Sequence, residues 1–473
     1  MASLPSYVVA AQPVPKDKRV PWYMTTAQTY ASIMLWFVFW AHVPSSDAPC
    51  SAGILAQGLP PAILGVVIGA LICHFLFFLV PGMLGMKTGL PLTVVGTSTY
   101  GVQGGFFMPG FFMGVLQFGW LAVNAYLSSM LLARCVGQEP MSAVQLTIGI
   151  VWVLAAALIG LKGISYVAKV ATFLPLIPLV ILLILAAKTV SGVSSFQPDM
   201  IVAAARSAGA AEAVPIKSWQ VVLFAIANIV GFFATAGAAG VDIASSNRNE
   251  SDVRLGGLVG VAGATIFTGC LALLIVAGIY GIEPKPVGLK PAELLSPTDL
   301  MSMIMHSKQT ANIFSLLLAI SAFPGSCFSA FIAASSFKNT LPKVNPFVSC
   351  GIGAVASILL VVTGVAGDAG AVFAVIGASF GPICGAMAAD YLLAGRKWAG
   401  PRAGFNLPGW ISWAVGFVIG AFGLVASRVP SIAQYKDIIP CPPVAAFIVG
   451  FVLYVILAKV GLESQKLEHP AVK

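Results

Sequence analysis

The sequence predicts an all-α integral membrane protein with about twelve transmembrane helices. Of its 473 residues, 58% are hydrophobic and only 9% are charged, and the mean hydropathy is +0.95. Soluble domains carry about 25% charged residues. The apolar residues also occur in runs of about twenty, which is the length of helix that crosses the hydrocarbon core of a bilayer. The chain is therefore expected to be embedded in lipid.

Twelve apolar runs follow one another, and we call them spans 1 to 12. An even number of spans places both termini on one side of the membrane, and most of the 25 Lys and Arg residues then fall on the cytoplasmic side. The N-terminal segment has no apolar core before a cleavage site, so we expect no cleaved signal peptide and a multi-pass protein of the plasma or inner membrane. The predicted spans are 22–43, 58–82, 104–134, 142–162, 166–189, 218–241, 254–281, 311–337, 345–366, 370–394, 408–427 and 442–461.

The formal net charge of +9 does not indicate nucleic-acid binding. The basic residues are scattered at the ends of apolar runs, and they form no stripe with interleaved aromatic residues. The eight Cys residues show no paired spacing typical of a metal site. The expected partners are the lipid bilayer and a small substrate, with no nucleic acid, no metal and a monomeric assembly.

Span 3 carries a polar and aromatic face. Gln117, Trp120 and Asn124 are three and four residues apart, so they share one face of a helix. An aromatic face and amides that both donate and accept hydrogen bonds suit a flat heteroaromatic ring with donors and acceptors around its edge. The alternative is structural: the amides link neighbouring helices and Trp120 fills the core.

Helix-breaking residues lie within spans 6 and 8. Span 6 contains Gly231, Gly237 and Gly240, and span 8 contains Pro324 followed by Gly325. These residues predict interrupted helices, which occur at membrane depth where the backbone faces protein or a water-filled cavity, as in transporters. Alternatively, the glycines permit close helix packing.

Five motifs occur in order along the chain: "PVPKDKR", "GMKTGLPLTVVGTSTYG", "FGWLAVNA", "GVDIASSNRNESDVR" and "AADYLLAGRK". Together they resemble the nucleobase cation symporter-1 family, which includes the purine-cytosine permeases. The resemblance implies a LeuT-type fold, in which two inverted repeats of five helices precede two further helices. It divides the chain into a cytoplasmic N-terminal tail (1–21), two repeats (22–189 and 218–394), two last helices (408–461) and a cytoplasmic C-terminal tail (462–473).

The resemblance also implies site residues. Trp120 matches the stacking tryptophan of the family, Gln117 and Asn124 match positions that read the ring edge, and Phe233 matches the aromatic residue on span 6. The ring would lie between Trp120 and Phe233. The further substrate-binding residues are Thr235, Ser32, Gly325 and Ser326, and the expected cation-coupling residues are Ala31, Met34, Ser321, Ser326 and Ser329.

One departure from the family concerns span 8, where Gly325, Ser326 and Cys327 stand in place of the usual substrate-reading Asn. Few hydroxyl oxygens remain there for sodium, which prefers several oxygen ligands. The coupling ion is H⁺ or Na⁺, and this pattern favours the proton. No other cofactor is expected.

Three ionisable residues are candidates for proton transfer or gating: His74 within span 2, Asp242 after span 6 and Asp390 in span 10. An ionisable residue within a span is by default a functional hypothesis. Alternatively, His74 bonds a carbonyl of a neighbouring helix, while Asp242 and Asp390 pair with Arg248 and Arg396 at the cytoplasmic ends.

The predicted function is cation-coupled import of a nucleobase or related heteroaromatic compound by alternating access, without enzymatic activity. Two alternatives stay open: a non-transporting sensor of the same fold, and a membrane enzyme acting on a lipid-soluble substrate. Such an enzyme needs a metal or acid-base cluster, which four scattered His residues do not readily supply. The sequence also contains no G-x-x-x-x-G-K-[ST] loop of an ATP-driven pump.

Overall fold

The computed structural model describes residues 4–25, 53–162, 174, 176–207, 217–282, 297–341 and 343–469. Almost all of span 1 therefore lies outside the described residues. Within the described ranges every regular element is a helix, and β-type pairing is limited to two isolated bridges.

Spans 2 to 12 each coincide with an apolar helix. Ten of these helices are long and apolar enough to cross a membrane, and span 9 is a shorter helix of 17 residues. Their bounds are Leu59–Thr88 (span 2), Phe106–Cys135 (span 3), Ala143–Lys162 (span 4), Leu176–Ser195 (span 5), Ser218–Ala244 (span 6), Glu250–Gly281 (span 7), Lys308–Thr340 (span 8), Pro346–Val362 (span 9), Ala369–Leu393 (span 10), Leu407–Ala426 (span 11) and Pro442–Lys459 (span 12).

Several short helices occupy the connections, where the sequence predicts none. Their lengths give too few turns for a periodic apolar pattern to identify them. They are Ser6–Val9, Lys16–Lys18, Leu92–Val95, Thr97–Tyr100, Pro198–Ser207, Pro297–Met305 and Pro430–Tyr435. Two further short helices touch predicted spans: Trp22–Thr25 lies at the start of span 1, and Val365–Gly367 overlaps the end of span 9.

The prediction that spans 6 and 8 are interrupted is wrong. Span 6 runs through Gly231 and Gly240 without a break, and span 8 runs through Pro324. A Cβ atom on Gly240 would lie 3.1 Å from the ring of Phe78, and one on Gly231 would lie 3.2 Å from the carbonyl of Phe373. These glycines therefore permit close helix packing. A proline removes one intrahelical donor, which is tolerated where neighbouring helices enclose the backbone.

Irregular helical geometry occurs in other spans. Wide π-helical turns form at Cys73–Phe78 in span 2 and at Gly256–Gly263 in span 7, while span 3 is kinked within Phe106–Phe111, where the backbone of Met108 is not helical. Such turns insert an extra residue into the helix and locally shift the direction of the side chains.

Both ends of the described chain lie on one face of the helix bundle, which we call the terminal face. The Tyr7 hydroxyl donates to the Val102 carbonyl between spans 2 and 3. The Val20 amide donates to the Ser246 carbonyl between spans 6 and 7, at 2.8 Å. Near the C-terminus, the His469 ring packs edge-on against Trp398 at 5.3 Å. The terminal face is therefore built from both tails and the loops between spans.

Span 9 approaches span 3 closely at one glycine. A Cβ atom on Gly353 would lie 1.9 Å from Cε2 of Phe118. That ring has little room to move, because it is buried and stacks on Phe337 at 5.9 Å. By contrast, a Cβ atom on Gly351 meets no described atom within 4 Å. Only one of these two glycines is therefore required by packing.

We predict that Gly353→Ala destabilises the protein by about 1–3 kcal/mol, because an added methyl overpacks the helix contact. Gly351→Ala, two residues away on the same helix, is the matched control and should be neutral or stabilising by up to about 1 kcal/mol. Thermal unfolding in detergent measures both. Equal melting temperatures for the two variants would contradict the packing role of Gly353.

Candidate functional site

Trp120 of span 3 is buried and held by span 6. Its indole Nε1 donates a hydrogen bond to Oγ1 of Thr235, at 3.0 Å. The structure therefore brings together two of the predicted substrate-binding residues, and this hydrogen bond fixes the orientation of the indole ring.

Two aromatic rings of other spans contact Trp120. Its ring lies 4.9 Å from Phe373 of span 10 at an angle of 32°, and 4.7 Å from Phe232 of span 6 in an edge-on contact. Phe233, the predicted residue of span 6, packs against Phe232 at 5.0 Å. Consecutive residues of a helix point about 100° apart, so Phe232 and Phe233 cannot both face Trp120. No sequence signal singled out Phe373, and the position of a substrate ring between Trp120 and Phe233 stays a prediction.

The two amides of span 3 make only local contacts. The Gln117 side chain is 4% exposed, and its Nε2 lies 3.6 Å from the Met113 sulfur on the preceding turn. The Asn124 Nδ2 donates to the Trp120 carbonyl at 3.1 Å. Neither amide hydrogen-bonds another helix of the described chain. The geometry thus gives no support to the alternative in which these residues link helices.

Gly325 has no described neighbour on the side where a Cβ atom would point. No described atom lies within 4 Å of the position that a Cβ atom would take. The residue is only partly buried, although it sits in the middle of span 8 between the buried Pro324 and Ser326. A methyl group at this position would therefore collide with no described residue.

The serines of span 8 are engaged in the protein. Ser326 is fully buried and accepts a hydrogen bond from Trp152 Nε1 at 2.9 Å, while the Ser321 hydroxyl donates to the Leu318 carbonyl at 2.7 Å. Ser329 is also buried. The other predicted coupling or binding residues, Ala31, Ser32 and Met34, lie outside the described residues.

A cavity of about 290 Å³ opens between spans 6 and 8 towards the terminal face. On span 8 it begins at Phe328, three residues after Gly325 and therefore on the same helix face. The cavity combines aromatic and polar groups, and its lining includes Leu92, Thr93, Asp242, Ser246, Phe328, Phe331, Ile332, Ser335, Ser336 and Asn339.

Asp242 belongs to this cavity and does not pair with Arg248. Its Oδ1 accepts a hydrogen bond from the Leu92 amide at 2.9 Å. The expected pairing with Arg248 is wrong, because Arg248 binds both oxygens of Asp252 at 2.9 and 3.1 Å. Asp252 lies four residues further on, at the start of span 7, where an i, i+4 pair forms readily.

Asp390 is the centre of a buried network on the terminal face. Its partner is Arg402 at 2.8 Å, not Arg396 as expected. Arg396 lies in the positive-φ turn that ends span 10, whereas Arg402 returns from the following loop. Arg402 also binds Glu463 of the C-terminal tail at 2.7 Å. Further hydrogen bonds to Asp390 come from Ser98 (2.6 Å), Thr99 (3.2 Å) and Tyr454 (3.1 Å).

The network keeps Arg402 charged. Burial lowers the pKa of the Arg402 guanidinium, but Asp390, Tyr454 and Glu463 outweigh burial, so the pKa is raised overall. The network joins span 10, the loop that follows it, the short helix Thr97–Tyr100, span 12 and the C-terminal tail, so it ties the terminal face together. This geometry is that of a structural ion pair rather than a free carboxylate.

His74 is on span 2, and its ring lies against Gly257 of span 7. Its ring is 3% exposed, and Nδ1 has no hydrogen-bond partner among the described residues. A Cβ atom on Gly257 would lie 2.4 Å from that nitrogen, so only glycine fits beside it. Nδ1 therefore makes no bond to a described carbonyl, and a proton-transfer or gating role for His74 stays a prediction.

The family model described as "Permease for cytosine/purines, uracil, thiamine, allantoin" matches residues 13–435. Two solved structures of Mhp1, a nucleobase-cation-symport-1 family transporter, are similar to the chain. One is closed with bromovinylhydantoin bound (TM-score 0.65, 15% identity, 96% of each chain covered), and the other faces inward (0.61, 16%, 98% of this chain and 96% of Mhp1). A Na⁺-coupled sialic acid symporter is also similar (0.58, 13%, 96% and 92%). No curated protein sequence matches significantly.

These similarities confirm the predicted fold class. Each covers more than nine-tenths of both chains, so the likeness concerns the whole helix bundle rather than a local motif. The fold is therefore the LeuT type, with inverted repeats followed by two further helices. The family is one of permeases, which confirms that the protein is not an enzyme.

We predict that Arg402→Met destabilises the protein by about 3–5 kcal/mol, because it leaves the buried Asp390 carboxylate without its counter-charge. Arg428→Met is the control, since Arg428 is exposed and forms no ion pair within the described residues. Thermal unfolding in detergent provides the measurement. If the two variants melt at the same temperature, the network does not hold the terminal face together.

Proposed function

The chain belongs to the family of permeases for cytosine/purines, uracil, thiamine and allantoin, and we propose that it imports a nucleobase or related small heteroaromatic compound with a coupled cation. The transported compound is cytosine-like or purine-like. Transport proceeds by alternating access across the plasma or inner membrane, with the terminal face in the cytoplasm. The basic residues on that side support this orientation. In this proposal, residues 22–189 and 218–394 form the two repeats.

The observation that carries the proposal is the fixed indole of Trp120. Its hydrogen bond to Thr235 sets the plane of the ring before any substrate arrives. A preorganised aromatic face costs less conformational entropy on binding than a mobile one. The nearby Gln117 and Asn124, which bond no other described helix, supply amides for the edge of the ring.

Phe373 covers the indole of Trp120, so its side chain has to move if a substrate ring is to stack there. Its ring lies against Trp120 at 4.9 Å and only 32° from parallel, which is close to the geometry of a stacked heteroaromatic ring. Trp120 itself is 8% exposed. We propose that the substrate ring takes the place of Phe373 against the indole, while Phe232 and Phe233 form the side of the site on span 6.

Proton coupling is proposed over sodium coupling. Ser326 already accepts a hydrogen bond from Trp152, and Ser321 already donates to Leu318. Sodium would have to share or displace these contacts, and Ser329 is the remaining hydroxyl among the predicted coupling residues of span 8. A proton needs no oxygen shell, and His74 is the proposed group that could carry it.

We predict that Trp120→Ala abolishes detectable ring binding while leaving the protein folded. Stacking contributes about 0.5–1.5 kcal/mol beyond burial, and the missing ring also leaves a void. Trp219→Ala is the matched control, because Trp219 is 54% exposed on the outside of span 6. Ligand-induced thermal stabilisation against a panel of cytosine, uracil, adenine, hypoxanthine, allantoin and thiamine measures binding. A variant that binds as tightly as the parent would disprove the stacking role.

Substituting the amides should change selectivity. We predict that Gln117→Ala or Asn124→Ala alters the order of preference within the same panel, because an unmatched polar group costs about 1–3 kcal/mol. Equal losses for every ring, together with poor expression, would instead assign the amides to helix packing.

Coupling is tested by uptake into vesicles. We predict uptake that is abolished by a protonophore and unaffected when choline replaces sodium, because too few free oxygens remain on span 8 for a sodium shell. A strict sodium requirement, lost in Ser326→Ala or Ser329→Ala, would overturn proton coupling. Binding of a ring without any uptake, under either gradient, would favour the sensor alternative.

A further inference from the structure

The cavity between spans 6 and 8 contains the carboxylate of Asp242. Its side chain is exposed, and that exposed surface lines the cavity. One oxygen accepts a hydrogen bond from the Leu92 amide at 2.9 Å. No Lys or Arg of the described residues pairs with the carboxylate, since Arg248 binds Asp252 and Arg254 binds Glu250. The second oxygen accepts no hydrogen bond from a described residue, and it is the acceptor that a ligand in the cavity would meet.

The rest of the lining suits a small ring. Phe328 and Phe331 offer aromatic surface, and Asn339 offers an amide. Thr93 also lines the cavity; it is 3% exposed, and its hydroxyl has no partner among the described residues. The Thr93 methyl group packs near Gly110 of span 3, where a Cβ atom would meet it at 2.9 Å. The cavity volume, about 290 Å³, is close to the lower limit of small-molecule pockets, roughly 300 Å³.

We propose that this cavity is a second binding site, on the route to the terminal face, for rings that carry an exocyclic amino group. The inference rests on the proposed transport function and names its substrate class more narrowly. A carboxylate accepts well from the amino group of cytosine, and adenine presents the same donor. Uracil and hypoxanthine present a carbonyl oxygen there, which a carboxylate repels.

The position of the cavity gives the site its role. Its lining includes Phe328, which lies on the same face of span 8 as Gly325, and in this proposal a ring that moves from Trp120 to the terminal face passes the cavity and meets Asp242 there. The hydroxyl of Thr93 is buried in this conformation, and a rotation of the side chain about χ1 would bring it to the ring nitrogen of cytosine that accepts, while Asp242 accepts from the amino group. A site at this end affects binding from the terminal face and not from the opposite face.

The test compares radiolabelled cytosine and uracil transport in right-side-out and inside-out membrane vesicles. Asp242→Asn keeps an oxygen for the Leu92 amide but replaces the free acceptor by a donor. We expect it to raise the half-saturating cytosine concentration at the terminal face by at least about fivefold, to lower that for uracil, and to change neither at the opposite face. Thr93→Val should weaken cytosine at the same face. Asp17→Asn, in the exposed N-terminal segment, is the matched control.

Each outcome decides a different point. If the parent transports cytosine but Asp242→Asn leaves both faces unchanged, the second site is disproved and the transport function stands. Equal effects at both faces would place Asp242 in the central site and overturn the inference. A parent that prefers uracil to cytosine at the terminal face would overturn the amino-group selectivity. A parent that moves no ring from the panel would remove the transport function and this site with it.

Discussion

In a bilayer every polar group must find its partner within the protein, because hydrocarbon offers none. This constraint sorts the polar residues of the chain into two kinds. Asp390 meets it fully, with Arg402, Ser98, Thr99 and Tyr454 around one carboxylate. Among the described residues, Asp242 has a hydrogen bond to only one of its oxygens, and its side chain lines a cavity. The first carboxylate holds the terminal face together, and the second is the one that we propose meets a ligand.

The same contrast separates the aromatic residues. Most rings of the bundle fill space between spans, as Phe118 does against Phe337. Trp120 differs because Thr235 fixes its indole by a hydrogen bond, and because the nearly parallel ring of Phe373 lies on it. A fixed ring covered by a side chain from another helix can exchange that side chain for a substrate. The proposed site is therefore closed by span 10 in this conformation.

Much of the fold could be predicted from the sequence, since a run of twenty apolar residues has one stable form in lipid. Trp120 could be found because its face on span 3 is local in the sequence. Its contacts could not be, because Phe373 lies on span 10 and nothing in its own span marks it. The pairing of Asp390 failed for the same reason: Arg396 is nearer in sequence, but the turn at the end of span 10 brings back Arg402 instead. The glycines of span 6 and the proline of span 8 wrongly predicted helix breaks. Closely packed helices and interrupted helices contain the same residue types, so the sequence alone does not distinguish them.

The central claim is that a substrate ring stacks on Trp120, and a structure with ligand bound tests it most directly. The distance to measure joins the centroid of the bound ring to that of the indole, in a cryo-electron microscopy map with the tightest-binding ring of the panel. The account predicts about 4.5–7 Å, with the ring edge towards Gln117 and Asn124 and with Phe373 displaced. A ring bound elsewhere, with the 4.9 Å contact between Trp120 and Phe373 intact, would contradict it.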